Sequence, residues 1–168
     1  MIEFRQALPD ELDSLKNFLF EHGTNPWNHL PKEGVDHEFE LVAQGNASAL
    51  IAADNNQPIG LAIFYHPKSL PEQYRQYSHS AATLYIAEVV VHSNYAGRGI
   101  GSQLLSKITD CARTVGATFI LAHRHEENLA SAGMMRKAGF TEITTFSDPQ
   151  RRDYGSRKTT VLSFDLAG

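Results

Sequence analysis

Residues 83–115 read TLYIAEVVVHSNYAGRGIGSQLLSKITDCARTV, and the reading of this stretch decides the fold. Residues 84–91 are nearly all apolar, with β-branched and aromatic side chains, as in a strand buried on both faces. Gly97, Gly99 and Gly101 then alternate with Arg98 and Ile100, which leaves the backbone N–H groups of the turn accessible. From Ile100 the apolar residues recur at helical spacing, through Leu104, Ile108, Cys111 or Ala112, and Val115. A glycine turn entering a helix suits an anion, because free N–H groups and the positive end of the helix dipole converge there. Phosphate or pyrophosphate is the ligand this pattern asks for.

Two other phosphate-binding patterns fit less well. A dinucleotide-binding turn wants G-x-G-x-x-G and an acidic residue about 20 positions on. Counting from Gly97 gives G-R-G-I-G-S, and the next strand runs into Ala122, His123 and Arg124 with no carboxylate for a ribose. A P-loop needs Lys-Ser/Thr after its glycines, and none follows.

Outward from this centre the chain alternates strands and helices. Residues 2–7 read as a strand, and Pro9-Asp10-Glu11 opens a helix whose buried stripe is Leu12, Leu15, Phe18 and Leu19. Residues 23–34 are turn chemistry around Trp27, followed by a short helix over 35–43. Residues 48–53 and 59–65 form a hairpin around Asp54-Asn55-Asn56-Gln57. Residues 66–82 read as a long loop with a helical turn at 72–77, and loops of this length are often binding lids. After the central strand and helix come a strand over 118–122, a helix over 129–138 ended by Gly139, and strands over 140–146 and 159–166. The order β-α-α-β-β-β-α-β-α-β-β has neither repeat nor linker. It predicts one mixed α/β domain over 1–168.

Composition narrows the function classes. The 168 residues carry a formal charge of −4, and no run of Lys or Arg exceeds two, which argues against a nucleic-acid partner. The one cysteine, Cys111, excludes an intrachain disulfide and a cysteine-based zinc site, and its spacing points it at the core. No apolar run approaches the ~18 residues of a membrane span, and no secretory signal is read at the start. A cytoplasmic protein without a membrane partner is the expectation.

Two blocks then carry a resemblance. EVVVHSNYAGRGIGSQLL resembles motif A of the GNAT N-acetyltransferase superfamily, a strand followed by (Q/R)-x-x-G-x-(G/A). Residues 128–140, NLASAGMMRKAGF, resemble the family's motif B, with an early Asn and a terminal Gly-Phe. The resemblance implies the GNAT fold: a mixed, mostly antiparallel sheet of about seven strands, flanked by helices and splayed at its centre. It implies an acyl-CoA-dependent N-acyltransferase with acetyl-CoA as donor. The acceptor would be a small-molecule amine or a peptide N-terminus, attacked directly in a ternary complex. A homodimer through the last strands is also implied, and a non-catalytic acyl-CoA-binding domain is the alternative.

By the same resemblance, backbone groups of Val89, Val90 and Val91 would hold the pantetheine, and the amide near Val89 would polarise the thioester carbonyl. The turn Ala96, Gly97, Arg98, Gly99, Ile100, Gly101 and Ser102 would cradle the pyrophosphate. Asn128 would meet the pantetheine arm while also serving as a helix N-cap. Glu88 stands out on physical grounds, because a carboxylate inside IAEVVV is costly to bury without a partner or a task. A partly desolvated Glu is a suitable general base for a substrate ammonium. His123, at the end of the next strand, is the second candidate base. His123 and His125 lack a third ligand, so no metal is expected. Two positions depart from the family pattern. Ala96 stands where Gln or Arg is usual, and Met135 stands where a Tyr would protonate the leaving thiolate, with Tyr154 or a water as substitute. Trp27, His29 and the 66–82 loop would flank the acceptor, and the Arg151-Arg152-Asp153-Tyr154 loop would border it.

Overall fold

Alternating small and large apolar residues give this chain a sheet with two buried faces. The computed structural model describes residues 1–79 and 82–166. The strands are β1 (Ile2–Gln6), β2 (Ala47–Asp54), β3 (Gln57–Tyr65), β4 (Thr83–Val91), β5 (Phe119–His125), β6 (Thr141–Ser147) and β7 (Lys158–Asp165). The helices are α1 (Leu12–Gly23), α2 (Lys32–Ala43), α3 (Ile100–Thr114) and α4 (Leu129–Lys137). All seven strands join one sheet in the order β1-β2-β3-β4-β5-β7-β6. Every neighbouring pair is antiparallel except β4 and β5. This is the GNAT fold expected from the two motifs.

Period-two alternation sorts the core. Along β2, Ala49, Ile51 and Ala53 face one cluster with Leu15 and Leu19 of α1 and Val35 and Phe39 of α2. Leu50 and Ala52 face the other cluster, with Leu104, Leu105 and Ile108 of α3. Gly60 on β3 sets how closely α3 can lie on the sheet. A Cβ there would meet Leu104 Cδ1 at 3.1 Å, and Ala52 Cβ and Ile100 Cγ2 both at 3.3 Å. Gly60→Ala is therefore expected to overpack this contact and lower stability by about 1–2 kcal/mol. A urea melt should show the midpoint falling with an unchanged slope.

Several elements differ from the sequence reading, each for a physical reason. Val115 is 64% exposed, because the helix has ended and the chain turns away toward β5. Cys111 is only half-buried, at the flank of the α3 stripe. Strand β5 runs to His125 rather than stopping at 122, since β7 keeps pairing with it as far as His125–Thr159. The outer half of β4 is not buried on both sides: Ala87, Val89 and Val91 are half-buried. Helix α2 begins at Lys32, with Pro31 as its extended N-cap. The 66–82 segment holds two 3-10 turns, Pro67–Ser69 and Glu72–Tyr77, and Tyr74 in the second is buried. Residues 80 and 81 of that segment lie outside the described residues.

Candidate active site

Strand β4 carries the site because it is irregular on both edges. Its pairing with β3 matches Ile63 to Glu88 and then Phe64 to Ile86, which leaves Ala87 as an extra residue. Such a bulge bends a strand and re-aims its side chains. On its other edge β4 pairs with β5 only at Thr83, Leu84 and Tyr85. Past Tyr85, β4 stays with β3 and β5 stays with β7, so the two central strands part. Among the described residues, 86–91 consequently have no strand partner on the side facing β5.

The glycine turn lies directly beyond β4. Gly97 and Gly99 have φ of 79° and 77°, the left-handed region that glycine enters without strain. Helix α3 has no side-chain N-cap. Among the described residues, the backbone N–H groups of 97–102 donate to no protein acceptor. Tyr95 steadies the turn, donating its hydroxyl to Asp54 at 2.8 Å while Arg98 lies 4.8 Å over its ring. The Ser102 hydroxyl is committed to the Met134 carbonyl at 3.1 Å, so what Ser102 can offer a ligand is its amide.

Two cavities meet at the gap between β4 and β5. The smaller, roughly 380 Å³, is lined by residues 86–91, Ala96, Asn128, Met134 and Met135. Asn128 Oδ1 caps α4 by accepting the Ser131 amide at 3.1 Å, which leaves its NH₂ group to the cavity. Met135 is 4% exposed and packs in the α3-side core. The larger cavity, roughly 940 Å³, lies between α2, the 3-10 turns and the β6–β7 loop. Asn28, Ala87, Glu88, His123 and Arg152 line both cavities.

The Glu88 carboxyl is buried at that junction. Burial pushes it up to about 7, against the hydrogen bond to Glu38 and the positive charges of Arg151 and Arg152, which pull it down. Glu38 reaches it from α2. Its Oε1 is buried and finds no N–H or O–H donor among the described residues. Burial, then the Glu88 charge, drives Glu38 farther above the usual carboxylate range. Glu38 therefore keeps its proton at neutral pH, and Glu88 is the member of the pair that titrates near neutrality.

His123 is fixed by its neighbours. Arg152 Nη2 can only donate, so His123 Nδ1 accepts at 2.8 Å and the remaining ring proton sits on Nε2. The ring stacks on Tyr74 and Tyr85, each at 5.6 Å. Burial, then Arg151 and Arg152, hold its pKa well below the usual histidine value. It is a neutral imidazole that presents an N–H. Arg152 is 5% exposed and spans the junction, with Nε to Thr159 Oγ1 at 2.9 Å and Nη1 to the Trp27 carbonyl at 3.3 Å.

The structure thus gathers Glu88, His123, Val89, Val90, Val91, Ala96 and Asn128 around one gap, with the 97–102 amides beyond it. His29 lines the larger cavity and Trp27 the smaller. His125 is instead a staple, donating from Nε2 to the Tyr154 carbonyl at 2.7 Å and accepting the Glu127 amide at 3.0 Å. Tyr154 is half-exposed and edge-on to Trp27 at 5.0 Å; it lines neither cavity. Among the described residues no group of three His, Cys, Asp or Glu could hold a metal. No described helix is long and apolar enough to cross a membrane. Sequence reasoning missed Glu38, Tyr74 and the burial of Arg152. Glu38 had a signal: it falls between Val35, Phe39 and Val42, on the buried stripe of an amphipathic helix.

Comparison with known proteins adds four findings. The model of the "Acetyltransferase (GNAT) family" matches residues 12–140. The L-amino acid N-acyltransferase MnaT of Escherichia coli is 29% identical over 112 residues, 67% of this chain; the match spans 59% of that protein's length. Among solved structures, an N-acetyltransferase from Staphylococcus aureus superposes with a TM-score of 0.77 at 19% identity, covering 99% of both chains. AAC(6')-Ib in complex with paromomycin and acetyl-CoA superposes with a TM-score of 0.74 at 18% identity, covering 98% of this chain and 93% of that one.

Proposed function

The chain belongs to the acetyltransferase (GNAT) family, and from that premise we propose that it transfers an acetyl group from acetyl-CoA to a primary amine. The observation that carries this reading is the meeting of two cavities at one buried carboxyl, Glu88. A donor and an acceptor can then be held on opposite sides of a single proton-accepting group. The relatives support acetyl-CoA as donor, and their acceptors agree only in being amines.

The residues fit the donor. Six unpartnered amides, 97–102, at the start of α3 suit its diphosphate. The unpaired edge of β4 at Val89, Val90 and Val91 suits the amide-bearing pantetheine arm, which can add to it as a strand would. Asn128 faces the same groove with its NH₂ group. When bound, acetyl-CoA supplies an activated acetyl thioester.

Glu88 does the proton work. An acceptor amine arrives as an ammonium and must lose a proton before it attacks. Glu88, ionised beside a protonated Glu38, accepts it at a carboxylate oxygen. His123 is suited to orient through its Nε2–H rather than to act as base, since its other nitrogen is taken by Arg152. Cys111 is on the flank of α3, away from both cavities, so no acyl-cysteine forms. The leaving thiolate needs little help, because a thiol of pKa ~8.5 is a good leaving group. The buried thioether of Met135 offers no proton, and this favours a second reading, an acyl-CoA-binding domain without turnover.

A thermal-shift titration separates these readings from the loss of both. Acetyl-CoA and CoA are expected to stabilise the protein, by about 2.7 kcal/mol at a hundredfold excess over Kd, while NAD does nothing. Thiol release with an amine panel then reports turnover. Binding without release supports the second reading, and no shift with either CoA form removes both.

A further inference from the structure

The larger cavity has two charged poles, and each is left with one unit of charge to give. At the acidic pole stand Glu38 from α2 and Glu88 from β4. Glu38 keeps its proton, so the pair carries one negative charge when Glu88 is ionised, and Glu38 Oε1 is buried with no donor among the described residues. The basic pole is the loop after β6, whose arginines line the same cavity and act on Glu88. Arg152 there is consumed by Thr159, Trp27 and His123. Arg151 is not. Among the described residues the one carboxylate within 4 Å of it is Asp148, 3.7 Å from Nε and too far for a hydrogen bond, and Asp148 Oδ2 already accepts the Thr159 hydroxyl at 2.7 Å. The terminal Nη1 and Nη2 of Arg151 hydrogen-bond nothing among the described residues, and the side chain lines the cavity.

Resting on the acetyl-transfer reading above, we propose that the acceptor is a zwitterion, an amine that carries its own carboxylate as a free α-amino acid does. Its ammonium lies at the Glu38–Glu88 pair and its carboxylate on the free fork of Arg151. A planar guanidinium matches a carboxylate with two parallel hydrogen bonds, which an ammonium at that place would not. A polycation is disfavoured by the same count. It would meet one net negative charge at the acidic pole, and it would have to lie against two arginines. The volume, roughly 940 Å³, exceeds a backbone zwitterion alone. Tyr74, Tyr77 and Phe146 line the remainder, so a large apolar or aromatic side chain completes the fit.

The test is a set of matched acceptors with acetyl-CoA, read by thiol release: L-phenylalanine, its amide, phenethylamine and kanamycin. L-Phenylalanine is expected to exceed both carboxylate-free analogues by at least about tenfold in kcat/KM. In Arg151→Met that preference ratio should collapse toward one, through KM rather than kcat, and Arg151→Lys should restore part of it. Equal or better turnover of the amide, phenethylamine or kanamycin by the wild type overturns the zwitterion while leaving acetyl transfer intact. Retention of the wild-type ratio in Arg151→Met overturns the assignment of the carboxylate to Arg151. Acetyl-CoA binding with no thiol release from any amine overturns both readings together.

Discussion

Glu88→Gln is expected to lower kcat/KM by about 10²- to 10⁴-fold while acetyl-CoA still binds. The substitution keeps the shape and burial of the side chain and removes its ability to accept a proton. The glycine-turn amides and the β4 edge are untouched, so the thermal shift with CoA should persist. The wild-type pH profile carries the same information. The reacting form has Glu88 ionised, and burial holds its value up at about 7. Activity should therefore rise with pH through neutrality, and the residual activity of Glu88→Gln should lack that limb. Retention of activity within about threefold would sink Glu88 as the base.

The same carboxyls make a stability statement of unusual sign. Glu38 and Glu88 both titrate above the ordinary glutamate value of 4.5. Above that value the folded state keeps protons that the unfolded chain has released, so stability falls as pH rises through the folded values. Most buried carboxylates that pair with arginine behave oppositely. Glu88→Gln should flatten this slope, which separates its structural effect from its chemical one.

What the sequence makes legible, and what it does not, follows from how local each cause is. Strand and helix periodicity lies within ten or so residues, and the element order read from it matches the structure. The glycine turn was legible because left-handed backbone needs glycine, and the structure has it at Gly97 and Gly99. Glu88 was legible because a charge inside an apolar strand is an anomaly wherever the strand goes. Its partner Glu38 interrupts the stripe of α2 in the same way, but nothing local pairs a residue of α2 with one of β4. Arg152 had no such mark. It sits in a polar loop that reads as solvated, and its burial arises from Trp27, 125 residues earlier in the chain, and from Thr159 and His123. The opening of β4 from β5 is likewise a matter of register between distant strands, which no local pattern encodes.

Arg152→Met is expected to destabilise the protein by about 2–4 kcal/mol and to disable the site with it. Two effects compete. A buried guanidinium with no carboxylate within 4 Å among the described residues is expensive, and exchanging buried charge for a well-packed apolar group is often neutral or favourable. That gain would win if Arg152 were bonded to little. It is not: removing it strips the Trp27 carbonyl and His123 Nδ1 of their donor. Each acceptor left dry costs about 1–3 kcal/mol. Thr159 loses less, because its hydroxyl still donates to Asp148. The loop carrying Trp27 and Asn28 would then be released from the β6–β7 loop, widening both cavities at the point where they meet. Arg152→Lys should not rescue, since a single ammonium cannot reach three partners disposed around a planar fork. Urea unfolding supplies the energy, and the ring resonances of His123 supply an independent sign. With its Nδ1 acceptor role vacated, the imidazole is free to change tautomer. A melt within about 0.5 kcal/mol of wild type would mean that relief of the buried charge outweighs the three hydrogen bonds, and that the junction is held by packing instead.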